Sequence, residues 1–297
     1  LSFSLFVASI AGAASFTRPD DFSEIKAGQA VTIRADRAYL LFRTNSKETR
    51  VFTGLSPVFL RVPTAAEMEA YNAAKRTAFA KAEPELKRRR QELLAQKTAA
   101  ERTGQKFTKI IPPPPGLDTF EFAYNGTPNV YSVSLRGALE KSDDGRVLLI
   151  DATPGTYVLY GWGAGDSLYT CLCLGSVSFS AEPGKITDLG TIFVALAAEP
   201  SPIPELKPVT GLGRGVNGGH AELLASAVRP ASDATPIPAA VAGKPIVRAD
   251  YRATGKFVSP FAFGIHRLAP IPGVLGYDRR GRVLDLVTAT PAEDHFY

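Results

Sequence analysis

Most of the chain before Ala198 reads as β-strand, in short runs where apolar and polar side chains alternate or where β-branched and aromatic residues crowd together. The runs are Val31–Ala35, Ala38–Arg43, Pro57–Val62, Thr119–Tyr124, Val130–Ser134, Arg146–Ile150, Gly155–Tyr160, Leu168–Cys173, Ser176–Phe179 and Lys185–Val194. Turn residues separate them, and Asn125-Gly126 between two runs is a hairpin signal. About nine or ten short strands at this spacing predict an antiparallel β-sandwich or barrel.

One long stretch breaks the pattern. From Thr64 to about Thr103 the residues Ala, Glu, Lys, Arg, Gln and Leu dominate, and Thr64 with Glu67 forms a capping box after Pro63. Pro84 inside it either kinks one long helix or opens a second at its first turn. The apolar stripe is thin (Met68, Tyr71, Ala78, Phe79, Ala82, Leu86, Leu93), which predicts a helical insertion that projects from the β body and is only partly buried. Ile110-Ile111 and the prolines 112–115 lead back as a stiff polyproline arm.

The composition changes after Ala198. Twelve of the 23 prolines fall there, and residues 199–208 read as a semi-rigid Pro-rich linker. Residues 209–297 hold a glycine cluster, a short helix near Ala221–Ala227, and a strand pair at Gly273–Tyr277 and Arg282–Leu286 around the turn 278–281. Apolar clusters such as Phe257-Val258 and Phe261–Phe263 lack an internal partner. The region is therefore expected as an extended C-terminal arm or satellite that needs the main body, or a neighbour, to bury them.

Across 297 residues, 45% apolar and 21% charged, the composition excludes a disordered polymer, a collagen-like repeat and a multi-span membrane protein. The net charge of +5 is concentrated: residues 64–109 carry eleven basic side chains against six Glu, and the remainder is neutral. The basic balance thus describes one segment, and nucleic acid is not the expected partner.

Leu1–Ala14 is an apolar, small-residue run ending in Ala11-x-Ala13, the pattern of a signal-peptide core and cleavage site; a first β-strand is the competing reading, since Leu1, Phe3, Leu5 and Val7 alternate with Ser2 and Ser4. Export to the periplasm or exterior follows from the first. Cys171 and Cys173 are the sole cysteines. On one strand face they would stand about 6.6–7 Å apart, at or beyond disulfide reach, so reduced thiols or pairing with another chain are expected.

The stretch 151–160, then Val177–Phe179 and Pro183-Gly-Lys-Ile-Thr-Asp-Leu-Gly190, resembles the closing strands of bacterial envelope β-sandwich domains of the transthyretin-like or peptidase-regulatory kind. It covers about forty residues, and common Pro-Gly turns carry much of it. The resemblance implies a non-catalytic sandwich facing the periplasm or exterior, and it assigns no site residues.

Candidate chemistry is sparse. The glycine-rich Thr210–His220 follows a Pro-rich linker where a dinucleotide fingerprint needs a buried strand, and it lacks the Gly-Lys-Ser/Thr ending of a Walker loop. His220, His266 and His295 have no metal-pair spacing, and no nucleophile elbow accompanies them. Cys171-x-Cys173 offers two thiolates but no second ligand pair, and Asp143-Asp144 sits in a turn where Asp is expected for turn reasons. Tyr160 and Trp162 on one strand face, with Tyr169 across the turn, are candidate contacts for a ligand or partner. Lys87, Arg88, Arg89 and Arg90 are candidates for anionic lipid or lipopolysaccharide, against a solvated face paired with Glu83, Glu85 and Glu92.

The expectation is a mainly β protein: an antiparallel β-sandwich over residues 15–198 with a projecting helical insertion at 64–109, followed by the linker and the arm. It is expected to be exported, periplasmic or outer-membrane-associated, non-enzymatic and without cofactor, docking to a protein partner in an envelope or surface assembly. The alternative is a hydrolase acting on envelope glycan or lipid.

Overall fold

The computed structural model describes residues 22–45, 55–124, 129–142, 145–164, 167–208, 224–257 and 262–294. Leu1–Ala14, Asn125-Gly126, Asp143-Asp144, Thr210–His220, Phe261 and His295 lie outside them. The described chain forms two units, residues 63–128 and the rest.

The larger unit is a β-sandwich. One sheet contains, in spatial order, β1 (Phe22–Ile25), β6 (Gly145–Ala152), β2 (Ala38–Asn45), β10 (Ile186–Leu196) and β11 (Leu224–Arg229), with β5 (Glu140–Lys141) beside β6 and β12 (Ile246–Arg248) beside β10. The second runs β13 (Arg252–Thr254), β9 (Ser176–Ala181), β7 (Gly155–Ala164), β3 (Leu55–Arg61), β4 (Val130–Ser132), with β8 (Ser167–Cys171) pairing β7 and β14 (Ala262–Ile265). A small third sheet joins β15 (Leu275–Tyr277), β16 (Val283–Asp285) and β17 (Thr290–Pro291). Most pairings are antiparallel, as the short-strand pattern predicts. Three among the described residues are parallel: β10 with β2, β10 with β12, and β8 with β14.

Alternation along the strands builds a core between the two large sheets. Phe22, Leu40, Phe42, Leu148, Ile150 and Ile192 from the first meet Phe59, Tyr131, Tyr157, Leu159 and Phe179 from the second. Phe22 stacks on Tyr131 at 4.4 Å, and Phe42 meets Phe59 edge-on at 5.7 Å, the aromatic geometries that add to area burial. The outer faces are also covered, which is why β2 and β3 read as nearly continuous apolar runs. Val31, Leu139 and Val241 cap Tyr39, Leu41 and Leu149 on the first sheet, while Phe257 and both cysteines cap Val58, Leu60 and Val158 on the second.

Several expected elements are corrected. Val31–Ala35 is not a strand: its backbone turns back over Tyr39, whose hydroxyl donates to the Thr32 carbonyl (3.0 Å) and accepts from the Arg34 N–H (3.1 Å), replacing a ladder. Residues 224–229, overlapping the helix expected near Ala221–Ala227, form β11, because their alternate apolar side chains pack on both faces of an antiparallel pair with β10. Thr119–Tyr124 joins no sheet; it belongs to the helical unit, where its period of two is satisfied by a helix. The C-terminal residues contribute β11 and β12 to one sheet and β13 and β14 to the other, and Leu224, Val228, Tyr251, Phe257, Leu268 and Ile271 are buried in the body.

Asp188-Leu189-Gly190 forms a bulge in β10. The Asp188 carboxylate accepts from the Gly190 N–H at 2.9 Å and from Arg43 at 2.7 Å, while the buried Tyr251 hydroxyl donates to the Leu189 carbonyl at 2.7 Å. Burial pushes the Tyr251 pKa far up, which keeps that hydroxyl protonated and donating.

The cysteine expectation is overturned. Cys171 and Cys173 form a disulfide with Cα atoms 5.1 Å apart. The strand geometry assumed for them stops at Cys171; a turn in which the Gly175 N–H bonds the Leu172 carbonyl draws the second cysteine back. Closing so small a loop constrains the unfolded chain little, so replacing both cysteines by Ala is expected to cost about 1.6 kcal/mol in chain entropy. Guanidinium unfolding under oxidising conditions, wild type against the double variant, measures it. Both residues are buried, so the folded protein should resist mild reductant.

Candidate functional site

In the smaller unit a single helix, α1 (Ala65–Arg102), runs unbroken through Pro84. The capping box forms as expected: Thr64 Oγ1 accepts from the Glu67 N–H (3.2 Å), and the Glu67 carboxylate accepts from the Thr64 N–H (2.7 Å). None of the helix's 38 residues is buried.

The chain then reverses and runs back along the helix. Lys109 Nζ donates to Gln96 Oε1 (2.8 Å), Arg90 Nε to the Pro112 carbonyl (3.1 Å) and Lys75 Nζ to the Asp118 carbonyl (3.4 Å). Phe120 meets Phe79 at 5.3 Å, and Phe122 and Tyr124 both meet Tyr71, at 5.6 and 5.2 Å. This is where the alternating Phe120, Phe122 and Tyr124 go: one side of an extended segment packs on helix positions two turns apart.

Between the Arg90 and Phe79 attachments the two strands of this hairpin are unequal. The helix advances about 16 Å over those residues, while the residues from Pro112 to Phe120 can span about 25 Å in polyproline geometry. A turn in which the Phe120 N–H donates to the Leu117 carbonyl (3.3 Å) takes up part of the excess, and beside the arm lies a groove of about 570 Å³, lined by Phe79, Leu86, Leu93, Ile110, the four prolines and Phe120, with Arg89 and Glu121 as its charges. Prolines lack N–H groups, so that wall offers carbonyls and apolar ring surface only.

The basic cluster divides. Lys87 pairs with Glu83 (2.9 Å), and Arg88 pairs with Glu85 (2.7 Å) and Glu92 (2.5 Å), which raises the Arg88 pKa and lowers that of Glu85 through the hydrogen bond they share. These two follow the solvated-face reading. Arg90 is held by the Pro112 carbonyl. Arg89 forms no close ion pair among the described residues, although its charge helps to lower the Glu85 pKa, and it lines the groove.

The aromatic candidates sit elsewhere, in the sandwich, and do not share a face. In the β3–β7 ladder Val58 opposes Gly161 and Phe59 opposes Leu159, so Tyr160 is the extra residue of a bulge. The slip reverses parity. Tyr160 packs outward, stacked on Phe257 at 5.2 Å, while Trp162 is wholly buried in the core. Tyr169 is the extra residue of a second bulge, where Trp162 opposes Thr170 and Gly163 opposes Leu168; its side chain lies outside the described set. Neither Tyr160 nor Trp162 presents an exposed ring.

Among the described residues no group of three or more His, Cys, Asp or Glu is arranged to hold a metal ion, and no helix is long and apolar enough to cross a membrane. No family model, no curated protein and no solved structure matches the chain.

The groove residues Phe79, Leu93, Ile110 and Phe120 were not singled out from sequence as a site. Their signal is the pairing of two periods, three to four residues on the helix and two on the return segment, joined by a tetraproline.

Proposed function

We propose that this is a non-enzymatic, exported protein of a bacterial envelope or surface assembly, in which the β-sandwich is the scaffold and the helical unit docks to a protein partner. The observation that carries this is the 38-residue helix without a buried side chain, whose apolar stripe the return arm covers only in part. A helix so little buried owes little of its stability to packing, and its exposed Leu86, Leu94 and Met68 are surfaces that a partner would cover. The Cys171–Cys173 disulfide supports an oxidising compartment, periplasmic or extracellular. The resemblance of 151–190 to envelope sandwich modules points the same way.

The test exploits the neck of the insertion. Arg61 N–H donates to the Asn129 carbonyl at 2.7 Å, so the ends of the insertion leave the sandwich side by side. Replacing residues 63–128 by a short Gly/Ser linker should leave the sandwich folded with one cooperative thermal transition, since no core residue of the sandwich lies in that span. In intact cells the full chain should crosslink into a stoichiometric complex that the shortened chain fails to form. An undiminished complex from the shortened chain, or loss of its cooperative transition, would defeat the reading.

A further inference from the structure

Charge along the helical unit is distributed unevenly, and the structure shows which charges are already neutralised. Residues 89–111, the C-terminal part of α1 and the reversal after it, carry six cations against two Glu; the rest of the unit carries five cations against six acidic groups. Both Glu in the cationic half are engaged, Glu92 with Arg88 and Glu101 with Lys97. Arg90, Arg102, Lys106 and Lys109 therefore form no ion pair among the described residues, and Arg89 has only the longer-range attraction of Glu85 one turn earlier.

The same half exposes apolar surface. Ile110 is 90% exposed and Leu94 more than one-third exposed, and Leu93, Ile110 and the prolines form one groove with the adjoining Leu86; the charges of that groove are Arg89 and Glu121. Lys109 and Arg90 are tied to the opposite strands of the hairpin by Gln96 and Pro112, so cations flank that groove. An isoleucine in water beside unpaired cations suits a surface that is apolar below and anionic above. A nucleic-acid backbone would match the cations but leave Ile110 without a partner.

We propose that this end of the helical unit docks on an anionic lipid surface, with Ile110 and the groove rim entering the headgroup boundary and Arg89, Arg102, Lys106 and Lys109 on the phosphates. This rests on the reading of the helical unit as the contact element and names a second thing it contacts.

Sedimentation of the full chain with vesicles tests it. Vesicles containing phosphatidylglycerol and phosphatidylcholine at one to three should bind the protein, and pure phosphatidylcholine vesicles should bind it much more weakly. At about fivefold per cation, Lys106→Gln with Lys109→Gln should weaken binding roughly 25-fold. Ile110→Asp should weaken it about tenfold or more. Lys75→Gln with Arg76→Gln, at the other end of the helix, should change it less than twofold, and all three variants should keep the wild-type melting curve, because Arg76, Lys106, Lys109 and Ile110 are exposed and Lys75 gives up a single long hydrogen bond at the surface. Equal binding to both vesicle types, an equal loss from the Lys75/Arg76 pair, or binding to a DNA duplex but to neither vesicle would each overturn the proposal. Absence of vesicle binding while the crosslinked complex persists would remove this inference and leave the protein-docking reading in place.

Discussion

Gly190→Ala is expected to destabilise the sandwich by at least about 3 kcal/mol, a drop in melting temperature of roughly 6–12 °C for a chain of this size. Gly190 holds φ at +78°, where a side chain costs about 1–2 kcal/mol by itself. The larger part is steric. A Cβ there would stand 2.0 Å from the Arg229 carbonyl oxygen, 2.6 Å from the Ala231 nitrogen and 2.7 Å from the Pro230 carbonyl carbon, and backbone cannot rotate away as a side chain would. Relief requires β11 to part from β10 at the bulge. Gly243 separates the two contributions: its φ is +73° but nothing lies within 4 Å, so Gly243→Ala should cost only the conformational share, about 1 kcal/mol. Equal losses from the two variants, read by denaturant unfolding, would show that the close approach at Gly190 is unimportant.

Asp188→Ala is expected to cost about 3–5 kcal/mol, the usual consequence of removing one partner from a buried ion pair. Its carboxylate is nearly inaccessible and serves two donors, the Arg43 guanidinium and the Gly190 N–H. Arg43 also donates to the Pro236 carbonyl at 2.6 Å, so it is held in place and would remain as a charge without its counter-ion. Asp188→Asn combined with Arg43→Met should recover more than half of the loss, because the amide oxygen still accepts from Gly190 and no cation is stranded. A loss below 1 kcal/mol for Asp188→Ala would mean that water replaces the carboxylate at Arg43. Both experiments address the bulge in β10, and give Asp188-Leu189-Gly190 a structural duty: acceptor, buried aliphatic, and the one residue type that fits under β11.

Local pattern alone determined a large part of this protein. The strands at 38–45, 55–61, 145–152, 155–164, 167–171, 176–181 and 186–196 follow from apolar alternation and β-branched runs between turn residues, and the helix from composition and the Thr64–Glu67 box. These signals reside within a few residues of chain, which is why they are legible without the fold. Three features depended on partners distant in sequence. The single-residue insertion at Tyr160 is visible only against β3, more than a hundred positions earlier, and it alone sends Tyr160 outward and Trp162 into the core. The disulfide required the turn after β8 to shorten a distance that an extended strand would have kept open. Finally, Phe120, Phe122 and Tyr124 have the period of a strand, but a period of two states only that one side of an extended segment must be buried. Whether a sheet or the face of α1 buries it was decided by what the tertiary structure brought alongside.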